Sequence, residues 1–527
     1  MSKLKNIPVI DLFAGPGGLS EGFSSVVNGK NRVFDIKLSI EKDENAYKTL
    51  QLRSFSRQFP VNRLPGKYYD VLRAASLKDR ERLTRELFEA YPDKAKKANA
   101  ETWHAELGGK DLSKCIVDRR IEQELNGKKN WVLIGGPPCQ AYSLVGRSRV
   151  GGIGKDDHRV YLYKEYLRII AKHHPAVFVM ENVKGLLSAE LNGEKIFDWI
   201  KRDLKDPGRI FKGHKSHEYN IYSLVTETIK NDRDFLIKAE NYGIPQKRHR
   251  VILLGVRNDI KQIPRVLKTK HNKLKLKEII GQLPRVRSGI NRECCGFKLV
   301  PKDGKEKKKR LYKKIDDTSE NWEDLVRRFY ADIVSWNGFI ETDSYRKFKS
   351  PPSGTGSEFI MIPDSINKNS ALYEWYHDPK LKGVPNHQSR SHLSQDLKRY
   401  LFASIYSKKY KKFPRLSDYE KHNKGLLPDH KNAKSGKFSD RFRVQLPHEP
   451  ATTVTSHISK DGHYFIHYDP NQCRSLTVRE AARIQTFPDN YLFRGSRTQQ
   501  YQQVGNAVPP FLAYQIGIIV ENILKKA

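Results

Sequence analysis

Cysteine is scarce in this 527-residue sequence: five residues (Cys115, Cys139, Cys294, Cys295, Cys473), none in a Cys-x-x-Cys pair. An odd, irregular set excludes a disulfide framework, and a zinc site would have to come mostly from histidines. No apolar run approaches the ~18 residues that cross a bilayer. The opening MSKLKNIPVIDLF has no apolar stretch before a small-residue cleavage site. These absences predict no membrane partner, no metal and a reducing, cytoplasmic setting. Acids are also short, 60 Asp and Glu against 97 Lys and Arg, giving +37. A lysine-rich proteome would produce that balance, but so would a polyanionic partner, because each neutralised phosphate releases counterions. There is no internal repeat. With 38% apolar residues, the length suits two or three compact units.

What is present first is an alternation of strand and helix. The apolar run Ile7 to Phe13 ends in Gly15-Pro16-Gly17-Gly18, a helical segment follows from Leu19, and a second apolar run, Val33 to Ile40, ends at Glu41. That is a β-loop-α-β unit. Residues 53 to 105 read as a charged helical insertion. Strand signals return at Trp131 to Ile134, Ala176 to Met180 and Val251 to Val256, so a mostly parallel sheet covered on both faces is expected. From about 271 the periodicity weakens and basic runs appear at Lys302 to Lys314 and Lys408 to Lys412. Strand character is expected again near Tyr464 to His467, then a C-terminal helix from about Pro510 to Leu524 that packs back on the first domain.

Four segments carry chemistry. Asp11-Leu-Phe-Ala-Gly-Pro-Gly-Gly18 joins strand to helix, where glycines let a ligand approach the backbone; a plain tight turn would use them too. Glu41, ending the next strand, is placed to accept ribose hydroxyls, and without GxGxxG spacing an adenosine lacking phosphates fits better than a dinucleotide. Gly135-Gly-Pro-Pro-Cys-Gln140 puts Cys139 at a strand end in a proline-stiffened loop, which favours a nucleophilic thiolate over a buried structural cysteine. Met180-Glu-Asn-Val183 places an acid at the mouth of the sheet, costly unless used or paired. Gln246-Lys-Arg-His-Arg250 leads into a strand, and Arg248 and Arg250 share one face if it is extended.

In order, DLFAGPGGLSEGF, Glu41, KDLS at 110 to 113, IGGPPCQAYS, FVMENV, NYGIPQKRHRVILLGV, SLTVREAARIQTFPDNY and QQVGNAVPP resemble the motifs of cytosine-5 DNA methyltransferases. They lie between residues 9 and 510 and cover about half of the chain. The resemblance implies a Rossmann-like α/β sheet that binds S-adenosyl-L-methionine and an irregular target-recognition domain. The first comprises 1–270 completed by 496–527, the second 271–495. It implies that Cys139 attacks C6 of a cytosine flipped out of double-stranded DNA, that Glu181 beside Asn182 engages N3, and that Arg250 beside Arg248 grips O2. Cofactor contacts are implied for Asp11, Phe13, Gly15, Gly17, Gly18, Glu41, Asp111, Leu112, Pro138, Leu162 and Asn506. Lys42 stands where many relatives have an aromatic. DNA contacts are implied for Gln140, Ser143 and Arg159, in a glycine-rich catalytic loop of about 141–159. The basic runs, Lys408, Lys409, Lys411 and Lys412 among them, suit phosphates. The setting implied is a monomeric, nucleoid-associated bacterial modification enzyme with a restriction endonuclease acting separately. Two rivals are a tRNA cytosine-5 methyltransferase, disfavoured by the long 271–495 segment, and an inactive DNA-binding regulator, disfavoured by intact Cys139, Glu181 and Arg250.

Overall fold

The structure, a computed structural model, describes residues 6–61, 63–138, 162–191, 193–211, 217–302, 305–336, 339, 348–362, 368, 371–428 and 439–525. Its centre is one eight-stranded sheet of β1 (Ile7–Leu12), β2 (Phe34–Glu41), β3 (Thr102–His104), β4 (Val132–Gly135), β5 (Val177–Val183), β6 (Tyr219–Tyr222), β7 (Leu236–Lys238) and β8 (His249–Arg257). Across the sheet the order is β6-β8-β5-β4-β1-β2-β3, with β7 also on β8. The five strands from β5 to β3 are parallel, and β8 runs against β5, β6 and β7.

The continuous apolar runs form strands because both sheet faces are covered, and period-2 alternation divides them between two cores. Val9, Ile134, Val179 and Ile252 face one cluster, which includes Leu512, Ile516 and Val520 of the C-terminal helix. Ile10, Leu133, Met180 and Leu253 face the other, with Val117, Ile121, Ile169 and Phe197. The helix Pro510–Leu524 lies so close to α1 (Gly18–Ser24) that a Cβ on Gly22 would sit 2.4 Å from the Ala513 Cβ. Glycine is what permits that packing. The stretch Arg497–Leu524 is long and apolar enough to cross a membrane, but 72% of its most apolar window is buried inside the protein, as in a core helix.

The expected helical insertion is present. After α2 (Glu44–Arg57) come α3 (Gly66–Arg73), α4 (Leu77–Ala90) and α5 (Pro92–Glu101), and the segment ends as the edge strand β3. Asp43 caps α2 through Asn45 N and Ala46 N, Ser76 caps α4, and Pro92 starts α5. The outer face of these helices meets the recognition region. Arg80 Nη1 lies 2.7 Å from Glu358 Oε2, Tyr69 Oη donates to Asp378 Oδ2 at 3.0 Å, and Arg494 Nη2 lies 2.7 Å from Glu81 Oε1. The insertion therefore braces one region against the other.

Residues 271 to 495 contain a long hairpin, Arg292–Lys302 with Lys305–Lys314, and the packed helices Ser319–Val334 and Ser394–Tyr410. The expected strand at Tyr464 to His467 is not one. Only Ile466 bridges, to Val444 and Ser475, while Phe465 N turns back to Gly462 O. One cluster joins Leu276, Val384 and Phe465 to Tyr501 and Val504, so packing runs without a break past residue 495.

Candidate active site

Register aligns the chemistry. Ile40, Leu12, Gly135, Met180 and Leu253 lie in one row across β2, β1, β4, β5 and β8. The segments just beyond the row therefore emerge at one sheet edge: Phe13 to Gly18, Glu41, Gly136 to Pro138, and Glu181. The chain passes from β1 to β2 on one side and later to β4 on the other, so this edge holds a topological switch point, where α/β sheets bind ligands.

The turn after β1 is tightly determined. Phe13 (φ 55°), Gly15 (φ 56°) and Gly17 (φ 93°) are all left-handed, and Phe13 holds that conformation at a cost. A Cβ on Gly18 would meet Val508 O at 2.1 Å, whereas nothing lies within 4 Å of one on Gly15. Glu41 closes the turn: Oε2 accepts from Gly15 N and Oε1 from Asp43 N, both at 2.8 Å. Burial raises its pKa. A carboxylate has about four acceptor positions, so two remain for a ligand. Asp11 is fully buried and neither carboxylate oxygen has a hydrogen-bond partner. Burial pushes its pKa up to about 7, and the neighbouring Ser20 hydroxyl and the Arg57 charge offset this only in part.

Other expected cofactor residues are arranged more loosely. Asp111 is exposed in the turn before the helix Lys114–Leu125, and Leu112, like Phe13 and Trp103, packs half-buried against the second core cluster. Leu162 is buried at the start of the helix Leu162–His173, Pro138 is half-buried beyond β4, and Asn506 is exposed at the end of the helix Arg497–Asn506. Lys42 pairs with Glu106 at 3.3 Å on the exposed rim.

At the other end of the row, Arg250 Nε lies 2.8 Å from Glu181 Oε1, and Arg250 Nη1 donates to His249 O at 2.9 Å. Both side chains keep a small exposure, 15% and 13%, enough for a ligand to reach them. A Cβ on Gly136 would lie 3.0 Å from Glu181 Oε2, so the segment leading to Cys139 runs against this carboxylate. Cys139, Gln140, Ser143 and Arg159 lie outside the described residues. Asn182 is buried, its Oδ1 accepting from Val183 N at 2.8 Å.

Arg248 corrects an expectation. It does not share a face with Arg250, because Arg248 N bonds Gln246 O at 2.9 Å and the chain is not extended there. Its guanidinium is 1% exposed and donates to Val454 O at 2.7 Å and Gly505 O at 3.3 Å. It ties the chain just before Arg250 to Val454 and Gly505. Sequence reasoning also missed Gln246 and Gln485. Gln246 donates to Ile484 O and accepts from Val454 N, both at 3.0 Å, while Gln485 donates to Val504 O at 2.7 Å. Tyr491, which donates to Pro16 O, was missed as well. Their signal was polarity inside otherwise apolar motifs.

A family model described as C-5 cytosine-specific DNA methylase matches residues 93–522. The chain belongs to this family. Among similar proteins, the type II methyltransferase M.Bpa9945I of Bacillus paralicheniformis is 33% identical, over 98% of this chain and 99% of that one. The DNA (cytosine-5-)-methyltransferase M.ApeKI of Aeropyrum pernix is 26% identical, over 78% and 85%. A solved Escherichia coli structure, described as a prophage-encoded DNA modification methyltransferase, superposes with a TM-score of 0.52 at 20% identity. It covers 99% of this chain and all of that one, a likeness of fold. Members of this methylase family use S-adenosyl-L-methionine. The unpartnered Asp11 oxygens, the spare acceptors of Glu41 and the open space at Gly15 fit a cationic nucleoside at the switch point.

Proposed function

We propose that this DNA (cytosine-5-)-methyltransferase acts on a cytosine flipped out of a specific duplex sequence, as the modification half of a restriction-modification system. The names of its relatives support that setting. The observation that carries the chemistry is the Glu181–Arg250 pair beside the Gly136–Pro138 approach to Cys139. Cys139, as thiolate, adds to C6 of the cytosine. Glu181 holds the proton at N3 as charge develops, and Arg250, released from the acid, takes O2. Asp11, Phe13, Gly15 and Glu41 hold S-adenosyl-L-methionine, which when bound supplies the methyl group that C5 accepts; a base then takes the C5 proton and the Cys139–C6 bond breaks, restoring the C5–C6 double bond and the thiolate. Asn182 and Arg248 fix the two strands that present Glu181 and Arg250. Gln140, Ser143 and Arg159 are assigned to DNA, and residues 271–495 to target recognition. The chain works as a monomer, with any cognate endonuclease acting separately.

Transfer of labelled methyl groups to mixed-sequence duplex DNA and to tRNA tests this, followed by bisulfite sequencing of the DNA product. Label in DNA at cytosines of one short sequence is expected. Label in tRNA alone would overturn the substrate, and none in either would overturn the activity.

A further inference from the structure

The strands Arg292–Lys302 and Lys305–Lys314 pair antiparallel from end to end and, among the described residues, belong to no larger sheet. Ribbons of two strands are marginal in water unless something covers a face. Among this ribbon's described side chains none is buried. Phe297 and Leu299 are 55% and 56% exposed, and Leu311 and Tyr312 are exposed too. The buried core beneath takes Ile290, just before the ribbon, and packs Ile315, just after it, but no described side chain between them. The ribbon thus contributes no described residue to the module's core, although the strand Arg292–Lys302 meets the helix Ser394–Tyr410.

Its charge points to what covers it. Residues 292 to 314 hold ten lysines and arginines against three acids, so a segment of 23 residues carries +7 of the chain's +37. Lys298 faces Lys309 across the ribbon, a like-charge pair that costs stability unless an anion lies over it. Charged edges can serve only to prevent strand pairing, but that role does not call for Phe297 and Leu299 exposed along the same ribbon. Cations spaced along a narrow two-stranded element, interleaved with exposed apolar side chains, match duplex DNA. The major groove admits a two-stranded ribbon, its walls are phosphates, and thymine methyls offer apolar contact. The root is fixed within the region assigned to target recognition. Gly289–Ile290 pairs with Ser391–His392, and the adjacent Arg390 lies over the Tyr501 ring, 4.4 Å from its centroid, on the helix that ends at Asn506.

We propose that the ribbon Arg292–Lys314 is a DNA arm that lies in the major groove beside the target, extending the interface beyond the methylated sequence. This rests on the methyltransferase reading above and adds to it a second, flanking stretch of duplex. Lysines take phosphates on either side of the groove, and Phe297 and Leu299 meet base edges and sugars.

The ribbon can be removed cleanly, because Ile315 N already bonds Asn291 O at 3.0 Å, and an Asn-Gly turn can close the gap. Two proteins would be compared with the intact chain: this excision, and Lys298→Gln/Lys309→Gln/Lys313→Gln/Lys314→Gln. Dissociation constants would be measured on a short duplex carrying only the methylated sequence and on one extended by about a helical turn on each side. Binding of S-adenosyl-L-methionine controls for folding. In the intact chain the longer duplex should bind about tenfold or more tighter, with a hydroxyl-radical footprint reaching into the flank. Both variants should lose that advantage and the flanking protection. The log–log salt slope on the long duplex should fall by about 0.9 for each phosphate no longer neutralised. Phe297→Ser/Leu299→Ser should bind the long duplex roughly tenfold more weakly with the slope kept. If the intact enzyme methylates DNA but all three variants keep its length dependence and footprint, the arm is wrong and the enzyme assignment stands. If the intact enzyme does not methylate DNA, the enzyme assignment itself fails.

Discussion

The carboxyl edge of the sheet and the recognition region treat polar groups in opposite ways. At the edge, valence is left over: both oxygens of Asp11 are unpartnered, and Glu41 uses only part of its capacity. Between 271 and 495 the buried Arg474, Arg479 and Arg483 are spent on the protein itself. Arg474 bonds Glu480 at 2.7 Å and Val286 O at 2.8 Å, Arg483 takes Asp489 at 2.7 Å, and Arg479 reaches Pro385 O, Pro488 O and Tyr491 O. Spare valence in a buried place is costly and indicates a place prepared for a ligand. Spent valence indicates a scaffold with too little sheet or helix to satisfy its own backbone.

The largest effect should come from the edge. Cys139→Ala should lower methyl transfer by roughly 10⁴-fold or more, because a covalent step has no substitute nucleophile, while cofactor and DNA binding persist. Rapid-quench assays that recovered ordinary turnover would remove Cys139 from the chemistry.

Asp11→Asn comes next, and its sign separates ligand site from scaffold. The folded Asp11 keeps its proton to about pH 7, while an unfolded aspartate loses it near 4. The folded state therefore holds the extra proton between those values, and stability falls as pH rises through that window. The asparagine variant cannot ionise. Relative to the parent it should gain up to ~4 kcal/mol at pH 8 and little at pH 4, while binding S-adenosyl-L-methionine more weakly. Urea unfolding at both pH values checks the first part and calorimetry the second. A variant destabilised at pH 8 would mean that the fold itself relies on the Asp11 carboxylate.

Arg479→Met should behave in the opposite way. It strands three carbonyls and should cost about 3 kcal/mol at every pH between 5 and 9, with no special effect on cofactor affinity once folded. A cost below 0.5 kcal/mol in the same urea experiment would show that water replaces the guanidinium and that the scaffold description is too strong.

This contrast also explains which parts of the molecule can be read from its sequence. The strands at 7–12, 34–41, 132–135, 177–183 and 249–257 are legible because each is an apolar run bordered by polar motif residues, and Glu41, Glu181 and Arg250 stand at or near such strand ends. The helix Pro510–Leu524 is legible from its unbroken apolar face. Arg248 defeats the shared-face argument because that argument assumes an extended chain, and a local turn at Gln246 removes it. The expected strand near Ile466 fails for the reason that hides the whole region. Its backbone is satisfied by partners such as Arg443 O and by side chains far away in sequence, Arg479 to Pro385 among them, and no period records such pairings.

The smallest effect should lie at the end of the helix Ser394–Tyr410, where lysines that suit phosphates by sequence divide between two duties. Lys409 Nζ donates to Phe339 O at 2.9 Å and Lys411 Nζ to Lys408 O at 3.0 Å, with Lys411 itself left-handed as the helix cap. Those two ammoniums satisfy main-chain acceptors at the negative end of the helix dipole, a service worth about 0.3–1 kcal/mol each. Lys409→Gln/Lys411→Gln should therefore lower stability by ~1 kcal/mol and leave the salt dependence of DNA binding unchanged. Lys412 is exposed beside them. Lys412→Gln should leave stability within about 0.5 kcal/mol and flatten the log–log salt slope by ~0.9 for the one phosphate no longer neutralised, without altering the methylated sequence, since an ammonium carries no base-reading fork. Thermal unfolding and salt titrations distinguish the two variants. If both flatten the slope and neither is destabilised, the whole run belongs to DNA and the helix end needs no lysine cap.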